Sequence, residues 1–579
     1  MSHFSLIIKH TISLFLLCLC ISTQAQQLDG FFKQKPFKVS GGVGINQNVY
    51  LSNNIADRFN PYTFVATGNL NFTIYGVSLP FTFSYSNQQV NYRTPQPFNI
   101  IGVSPSYKKL TLHAGYRNMT FSPLTLSGYT YLGGGVEYSF PKLNVMAMAG
   151  RLLKATSSPK FNNALAETQN LPNYARVGAG TKLACKDKGT ELSLIVFYAK
   201  DNQKSLKINT DTLAIRPEEN LVYSLGFKKP LSSKITFNIE GALSGWTKNQ
   251  QDNTRSENKF YEYAYLLPLK QSTVFYGAYK TGLDLALNKS TIGLNFERIG
   301  TDYRTLGTYF IASDFQNFTV NLARPLFKNK VNFSGNIGLQ HDDLENKKQT
   351  KMKRVVASTN LAVKWTERIN SNLSFSNFNS VINVKPVDRA LLQNSIYDQI
   401  DTLNFVQINQ SLNAATNINL RESDNVSKSI GISASFSQSS NNNSGVKVAN
   451  KLVNGGVNFA TKFKKSKSSV SLGANTNQNI YEAGTSSFYG LNSSFSKPLF
   501  KDKLSTSLSA QGNTNLENGK RVALLYGISN SYGLSLGKRH SFNLALGYNS
   551  RVSKAQSTLS SYNTTFNEFT GNFGYNFKF

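Results

Sequence analysis

Cysteine is almost absent from this sequence, which contains three in 579 residues. Cys18 and Cys20 lie in an apolar N-terminal leader, so a chain that loses this leader retains Cys185 alone. A single cysteine cannot form an intramolecular disulfide. The fold must therefore rely on hydrogen bonds and packing, even in an oxidising compartment where disulfides are common.

Long apolar runs are also lacking, apart from the leader itself. Residues 11–21 form an apolar core after Lys9, and Thr23-Gln24-Ala25 places small residues where signal peptidase reads them. We predict that residues 1–25 are a signal peptide that is cleaved after Ala25. The core is shorter than the roughly 20 apolar residues that a spanning helix needs. Since no other stretch is apolar enough, a membrane protein with this sequence must be a barrel.

Acidic residues are scarce relative to basic ones. The sequence has 62 Lys and Arg against 31 Asp and Glu, which gives a net charge of +31. This charge is scattered and does not gather on one helix or stripe, which argues against nucleic-acid binding. Two interpretations remain open. The cations can lie in turns and rims and meet anionic lipid head groups, which we favour, or they can line a lumen that attracts anions.

Aromatic residues are abundant, with 40 Phe and 28 Tyr, and they alternate with small polar residues. The clearest case is the C-terminal segment, where Phe573, Tyr575, Phe577 and Phe579 share one face. An apolar edge strand that ends the chain is an aggregation hazard unless the sheet closes on itself. A terminal aromatic of this kind also resembles the signal that the barrel-assembly machinery reads. The pattern predicts a transmembrane antiparallel β-barrel.

Short turns rich in Lys or Arg recur along the chain and allow the strands to be counted. They lie near Gly76, Pro141-Lys142, Lys186-Asp187-Lys188, Lys228 to Lys234, Asn288-Lys289, Lys328-Asn329-Lys330, Arg368 to Asn372, Ser423 to Lys428, Lys464 to Lys467, Lys501-Asp502-Lys503 and Lys538-Arg539-His540. Eleven turns separate twelve hairpins. The prediction is therefore an all-β fold of about 24 strands, within a range of 20–28.

The other connections are longer, more polar and irregular, as the external loops of outer-membrane barrels are. They are Gln88 to Ser106, Ala155 to Asn173, Asp201 to Glu218, Lys248 to Gln271 and Pro386 to Thr402. We expect a periplasmic segment at 26–35 and a barrel at 36–579. Ten residues cannot fold into the globular plug of a TonB-dependent transporter. A wide barrel without a plug must be narrowed by its own loops or by a partner.

Catalytic and metal-binding patterns are not evident. His113 lies on the polar face of a strand and is expected to line the lumen, and His540 belongs to a basic turn. His341 opens a loop with two aspartates, but their spacing does not resemble a metal cage. The sequence therefore predicts no enzyme, no cofactor and no metal site, although it does not exclude a barrel hydrolase.

Three further features have a structural interpretation. Asp284, Glu297 and Asp302 lie in one hairpin region, where pairing with luminal Lys or Arg is a better explanation than acid–base catalysis. Gly133-Gly134-Gly135 lies within a strand and indicates close packing or a bend. Trp365 fits an aromatic girdle at the membrane interface.

Several segments resemble a family of large outer-membrane barrels from the Bacteroidota. These are Gly115-Tyr-Arg-Asn-Met-Thr-Phe-Ser-Pro-Leu-Thr-Leu126 with Gly134 to Tyr138, then Phe296-Glu-Arg-Ile-Gly-Thr-Asp-Tyr-Arg-Thr-Leu-Gly307, and Asp314 to Asn321. The resemblance covers about residues 105 to 380. It implies a barrel in the outer membrane of a Gram-negative cell and assigns no catalytic or binding residue.

Two functions follow as hypotheses. The first is a channel or transporter for polar, anionic solutes, in which luminal Lys and Arg set the selectivity. The alternative is a non-conducting scaffold that anchors, exports or assembles a cell-surface protein. The expected partners are outer-membrane lipid, the barrel-assembly machinery, and a secreted surface protein or plug partner, with no nucleic acid.

Overall fold

The computed structural model describes residues 36–55, 57–87, 99–156, 172–206, 215–254, 267–346, 353–380, 407–443, 446–553 and 565–579. The predicted signal peptide with its cleavage after Ala25, the segment 26–35 and the predicted loop from Pro386 to Thr402 lie outside these residues. The described residues form twenty-seven strands of one antiparallel sheet, and among them no helix is long and apolar enough to cross a membrane.

The strands follow one another along the chain as a series of hairpins. The first fourteen are β1 Phe37–Asn53, β2 Tyr62–Ile74, β3 Val77–Ser86, β4 Ile100–Val103, β5 Ser106–Tyr107, β6 Leu110–Asn118, β7 Thr130–Ser139, β8 Leu143–Leu153, β9 Ala175–Asp187, β10 Thr190–Asn202, β11 Glu219–Pro230, β12 Ile235–Thr247, β13 Thr273–Leu287 and β14 Ser290–Ile299. A 3-10 turn at Gln203–Ser205 follows β10.

The remaining strands are longer on average. They are β15 Phe315–Leu326, β16 Val331–Asp342, β17 Lys353–Lys364, β18 Ile369–Ser380, β19 Gln407–Glu422, β20 Val426–Asn443, β21 Val446–Phe463, β22 Ser468–Tyr481, β23 Gly484–Leu499, β24 Leu504–Glu517, β25 Lys520–Leu536, β26 His540–Ser553 and β27 Phe566–Lys578. Each pairs with its sequence neighbours, so the wall is built almost entirely from consecutive hairpins.

The sheet closes because its first and last strands pair. Strand β1 runs antiparallel to β27, from Gly42 opposite Lys578 to Asn53 opposite Asn567. The backbone N–H of Phe579 also donates to the Gly41 carbonyl at 2.9 Å. The aromatic C-terminal segment therefore has a partner on both sides, as the closed-barrel prediction requires.

The wall has two strands more than the expected number. Strands β4 and β5 are two pieces of one position between β3 and β6, so the twenty-seven described strands make twenty-six positions. The turn that is not among the eleven predicted ones is Lys108-Lys109, between Tyr107 and Leu110. Pro105 interrupts the alternation of apolar and polar residues before this turn, so the sequence pattern places residues 100–106 in the predicted loop from Gln88 to Ser106. In the structure that loop ends before Ile100, and its predicted end at Ser106 is wrong.

The outer face of the wall is apolar and accessible. Leu491 is 70% exposed, Leu339 65% and Ile337 57%. In water such a surface would drive aggregation, whereas in a bilayer it faces the acyl chains. Closure satisfies the backbone and the apolar face meets lipid, so the fold is a transmembrane antiparallel β-barrel, as predicted.

The two ends of the barrel differ. Twelve tight turns of two to four residues join strands at one end, and most connections at the other end are longer. We call the residues of these twelve turns the turn rim, and the opposite end the loop end. Strands about 4.8 Å apart and tilted by about 40° give a circular wall of twenty-six strands a diameter of about 50 Å. This width makes the contents of the lumen the central question.

Candidate functional site: a luminal insert and a neutral wall

Among the described residues, two connections at the loop end fold inward and pack on each other, and we call them the luminal insert. They are residues 119–129, between β6 and β7, and residues 300–314, between β14 and β15. They meet in a parallel bridge between Leu126 and Gly307, and the Ser127 N–H donates to the Gly307 carbonyl at 3.1 Å. The insert therefore joins segments that are about 180 residues apart in the sequence.

The insert has an apolar core against the inner faces of β7 to β14. Leu126 and Phe197 are completely buried in one cluster with Tyr131. Leu124 packs in a second cluster against Val222 and its neighbours. Burying side chains of this size stabilises the packed arrangement by about 2 kcal/mol each. The insert is thus a packed part of the fold rather than a loose loop.

Asn220 on β11 connects the insert to the wall. Its side-chain amide donates to Ser244 Oγ at 2.8 Å and to the Gly245 carbonyl at 2.9 Å, while its Oδ1 accepts from the Leu306 N–H at 3.0 Å. Ser244 Oγ in turn donates to the Arg304 carbonyl at 2.5 Å. Asn220 is completely buried, so these bonds have no competition from water.

The two halves of the insert are also bonded to each other. The Tyr303 hydroxyl donates to the Leu124 carbonyl at 2.7 Å, and the Thr305 hydroxyl donates to the Thr125 carbonyl at the same distance. Burial, and then the Glu240 carboxylate, raise the pKa of the Tyr303 hydroxyl, so this group stays protonated and remains a donor.

Charged side chains of the wall hold the edge of the insert. Glu240 on β12 accepts hydrogen bonds from Ser122 and, at 2.8 Å, from Ser224. On β9, Lys182 Nζ donates to the Phe121 carbonyl at 2.9 Å. These charges have structural partners in the insert, so they anchor its backbone and side chains.

The structure shows where the polar residues singled out in the sequence lie. His113 is on the inner face of β6, with Nδ1 3.0 Å from Ser104 Oγ and Nε2 3.1 Å from Glu137 Oε1. His341 does not open a loop but lies in β16, which ends at Asp342, and it is opposite Gln316. Within the described ranges, no three His, Cys, Asp or Glu side chains gather as metal ligands would.

The three carboxylates are not brought together. Glu297 is opposite Lys280 across β13 and β14, and Asp284 is opposite Gly293 further along the same pair of strands. Asp302 lies in the insert with a φ of 56°. Pairing with a luminal lysine, as predicted, therefore fits the position of Glu297 alone.

The family-like segments coincide with the insert. The stretch from Gly115 to Leu126 enters its first half, and the stretch from Phe296 to Gly307 enters its second. Gly133 to Gly135 lie within β7, as predicted, and a Cβ on Gly135 would be 2.6 Å from the Tyr131 hydroxyl and 2.7 Å from Met119 Sδ. The glycine is thus needed because the insert packs directly on the wall.

The other half of the barrel has a different interior. On β10 the outward Leu192 is exposed while the inward Phe197 is buried under the insert. On β19 and β23, by contrast, both faces are exposed: Leu412 outside and Asn413 inside, Leu491 outside and Asn492 inside. The lumen beside β18 to β26 is therefore hollow over the described residues.

The hollow half is lined by a nearly uncharged surface, which we call the neutral wall. Asparagine is the commonest of its exposed inward side chains and occurs at Asn332, Asn370, Asn372, Asn413, Asn417, Asn458, Asn475, Asn492 and Asn543. Serine and glycine occupy most positions between them. A groove of about 820 Å³ runs along this wall near the turn rim.

Asparagines of the neutral wall lie flat over glycines on the next strand. A Cβ on Gly473 would be 2.5 Å from Asn492 Oδ1, and one on Gly527 would be 2.7 Å from both Asn549 Oδ1 and Gln511 Nε2. Because only glycine leaves this space, the amides cover the backbone and do not project into the lumen. This pairing depends on strand register, and no local sequence motif reveals it.

The predicted assembly signal lies at the closing seam. Phe573 and Phe579 are exposed, Tyr575 packs on Phe542 with ring centroids 4.8 Å apart, and Phe577 packs on His540 at 4.9 Å. Its recognition by the assembly machinery stays a prediction.

We expect that replacing Phe577 and Phe579 by serine slows barrel assembly in cells severalfold, which heat-modifiable gel migration during a pulse–chase would measure. The matched replacement of Phe327 and Phe500, also exposed aromatics at this end, should have little effect on that rate.

No protein-family model matches this sequence, and no curated protein matches it. Among solved structures, OccAB2 from Acinetobacter baumannii is 10% identical, with 68% of this chain and 98% of that chain covered and a TM-score of 0.28. BauA, the ferric preacinetobactin receptor from the same organism, is 9% identical over 93% and 81%, with a TM-score of 0.34. The P pilus usher (PapC) translocation pore is 9% identical over 93% and 99%, with a TM-score of 0.37.

Identities and TM-scores this low assign no function to this chain. The resemblance to Bacteroidota barrels stays a prediction. What this chain is similar to is thus a set of bacterial barrel proteins, and its function must be sought in its own insert, neutral wall and turn rim.

Proposed function

We propose that this chain is an outer-membrane conduit for polar solutes, which pass between the luminal insert and the neutral wall. The observation that supports this most directly is the exposure of both faces of strands such as β19 and β23. A scaffold barrel gains nothing from a hollow interior, whereas a conduit requires one. In this proposal the lumen is narrowed by residues 119–129 and 300–314 of the barrel itself and not by a TonB-type plug.

The neutral wall suits polar solutes in general. Amide and hydroxyl groups replace part of a solute's hydration, and the absence of strong charges along this wall avoids tight binding that would slow passage. We further propose that the preference for anions arises at the mouth. The turn rim contains 16 Lys and Arg against 3 Asp and Glu, which raises the local concentration of anions there.

Single-channel recording in a planar bilayer tests this proposal. The purified full-length protein should give stable openings, with a reversal potential in a KCl gradient that indicates anion preference. Replacing Lys464, Lys465 and Lys467 by glutamine should reduce that preference and leave the conductance in high salt nearly unchanged, because salt screens the rim.

Two results would contradict the proposal. Folded protein that never conducts would favour the alternative, a scaffold that anchors or helps to export a surface protein. Cation preference in the parent protein would be consistent with a conduit but would contradict the proposed preference for anionic solutes. Heat-modifiable gel migration of the same preparation shows that the barrel is folded in either case.

A further inference from the structure

The turn rim has an excess of positive charge that the loop end lacks. Its twelve turns contain 16 cations and 3 acids, whereas the connections at the loop end contain 18 cations and 15 acids. Two of the three acids are already paired, Glu367 with Lys364 at 2.6 Å and Asp502 with Lys467. The net charge of the connections is therefore concentrated at the turn rim.

Large apolar side chains lie beside these cations. Phe327 is 75% exposed, Phe500 74% and Trp365 62%. Phe327 and Phe500 begin the turns Phe327-Lys-Asn-Lys330 and Phe500-Lys-Asp-Lys503, in which the first three residues all have φ between 50° and 67°. A repeated left-handed turn thus presents an aromatic ring and two lysines together.

Strand register places further apolar side chains of this end on the outer face. Leu287, Phe463, Leu536 and Phe579 all point away from the lumen and are exposed. An outward ring of apolar groups next to cations matches the boundary between acyl chains and head groups. An acidic protein partner would explain the cations but not this outward apolar ring.

We propose that the turn rim is a binding surface for anionic phospholipid, with its exposed apolar side chains in the acyl boundary and the lysines and arginines beside those side chains on the phosphates, while its other cations remain at the mouth. Such a ring enriches anionic lipids around this end and fixes the depth of the barrel in the leaflet that contains them. The proposal does not require the barrel to conduct.

Trp365 provides a reporter within the rim, because the chain contains only two tryptophans. Replacing Trp246, which lies near the loop end, by phenylalanine leaves Trp365 as the single fluorophore. The full-length W246F protein is folded into two sets of phosphatidylcholine–phosphatidylglycerol vesicles of identical composition. In one set the phosphatidylglycerol has brominated acyl chains, and in the other the phosphatidylcholine does.

We expect bromines on phosphatidylglycerol to quench Trp365 roughly twofold more, per mole of brominated lipid, than bromines on phosphatidylcholine, and salt to reduce this difference. Replacing the rim residues Lys328, Lys330 and Arg368 by glutamine on the W246F background should abolish the difference. The matched control replaces three loop-end cations, Lys154, Lys204 and Lys248, by glutamine and should preserve it.

Equal quenching by the two brominated lipids in the W246F protein would overturn the proposal, as would a preference that survives the loss of the three rim cations. Quenching by neither lipid would place Trp365 outside the bilayer and overturn it as well. The quenching depends only on the lipid near Trp365, so its result tests lipid binding independently of whether the barrel conducts.

Discussion

Replacing residues 120–128 by a short glycine–serine linker should give a roughly twofold larger conductance, because half of the insert leaves the lumen. These residues include the buried Leu124 and Leu126, and they hold the second half through the bonds from Tyr303 and Thr305. Their removal widens the open cross-section of the lumen and also loosens residues 300–314.

The barrel itself should survive this replacement. Its wall is held by the ladders between neighbouring strands, and the insert contributes to none of them apart from the bridge between Leu126 and Gly307. Exposure of Phe197 and Val222 to the lumen will lower the stability by several kcal/mol, since buried side chains of this kind contribute about 2 kcal/mol each. A gel-shift melting curve should show this loss, while the folded fraction at room temperature stays high.

The matched control carries the same linker in place of the exposed residues 231–234, in the turn between β11 and β12. It should leave the conductance of the open state unchanged. If the variant without residues 120–128 conducts no better than the parent, the insert does not limit flow and the constriction must lie elsewhere.

Substitution of Asn220 by leucine should detach the second half of the insert without removing any residue of it. The change breaks three hydrogen bonds and leaves the Leu306 N–H and the Gly245 carbonyl without these partners. Of these three bonds, only the one from the Leu306 N–H joins the insert to the wall, and a buried donor left without a partner costs about 2 kcal/mol, so the population of the detached state should rise roughly 30-fold.

Hydrogen exchange measured by mass spectrometry provides the readout. Amides within residues 300–314 should exchange faster in the variant, by a factor near that population increase, and the open channel should show added current noise. Amides of β1 and β27 should not change. Asn458→Leu, the same substitution on the neutral wall, serves as the control and should alter neither measurement. Unchanged exchange in the Asn220 variant would show that apolar packing alone holds the insert.

Much of the wall could be predicted from local sequence. Alternation with a period of two identifies strands such as β27, and lysine-rich turns such as 464–467 mark the hairpins between them. The count fell short by one hairpin because Pro105 and the short pieces β4 and β5 interrupt the alternation. The small polar side chains of the inner face were also visible, since they occupy every second position.

The sequence by itself therefore determined a closed wall of strands with an apolar outer face. Strand periodicity and turn chemistry depend on only a few neighbouring residues, so both are visible in local sequence. The tertiary structure alone decided that residues 119–129 and 300–314 lie in the lumen, and that Asn492 covers Gly473 while Asn220 meets Leu306. These contacts join segments up to about 180 residues apart. The contacts of the insert form only when strands far apart in the sequence have taken their places in the wall, so no local pattern could encode which half of the barrel is filled and which is hollow.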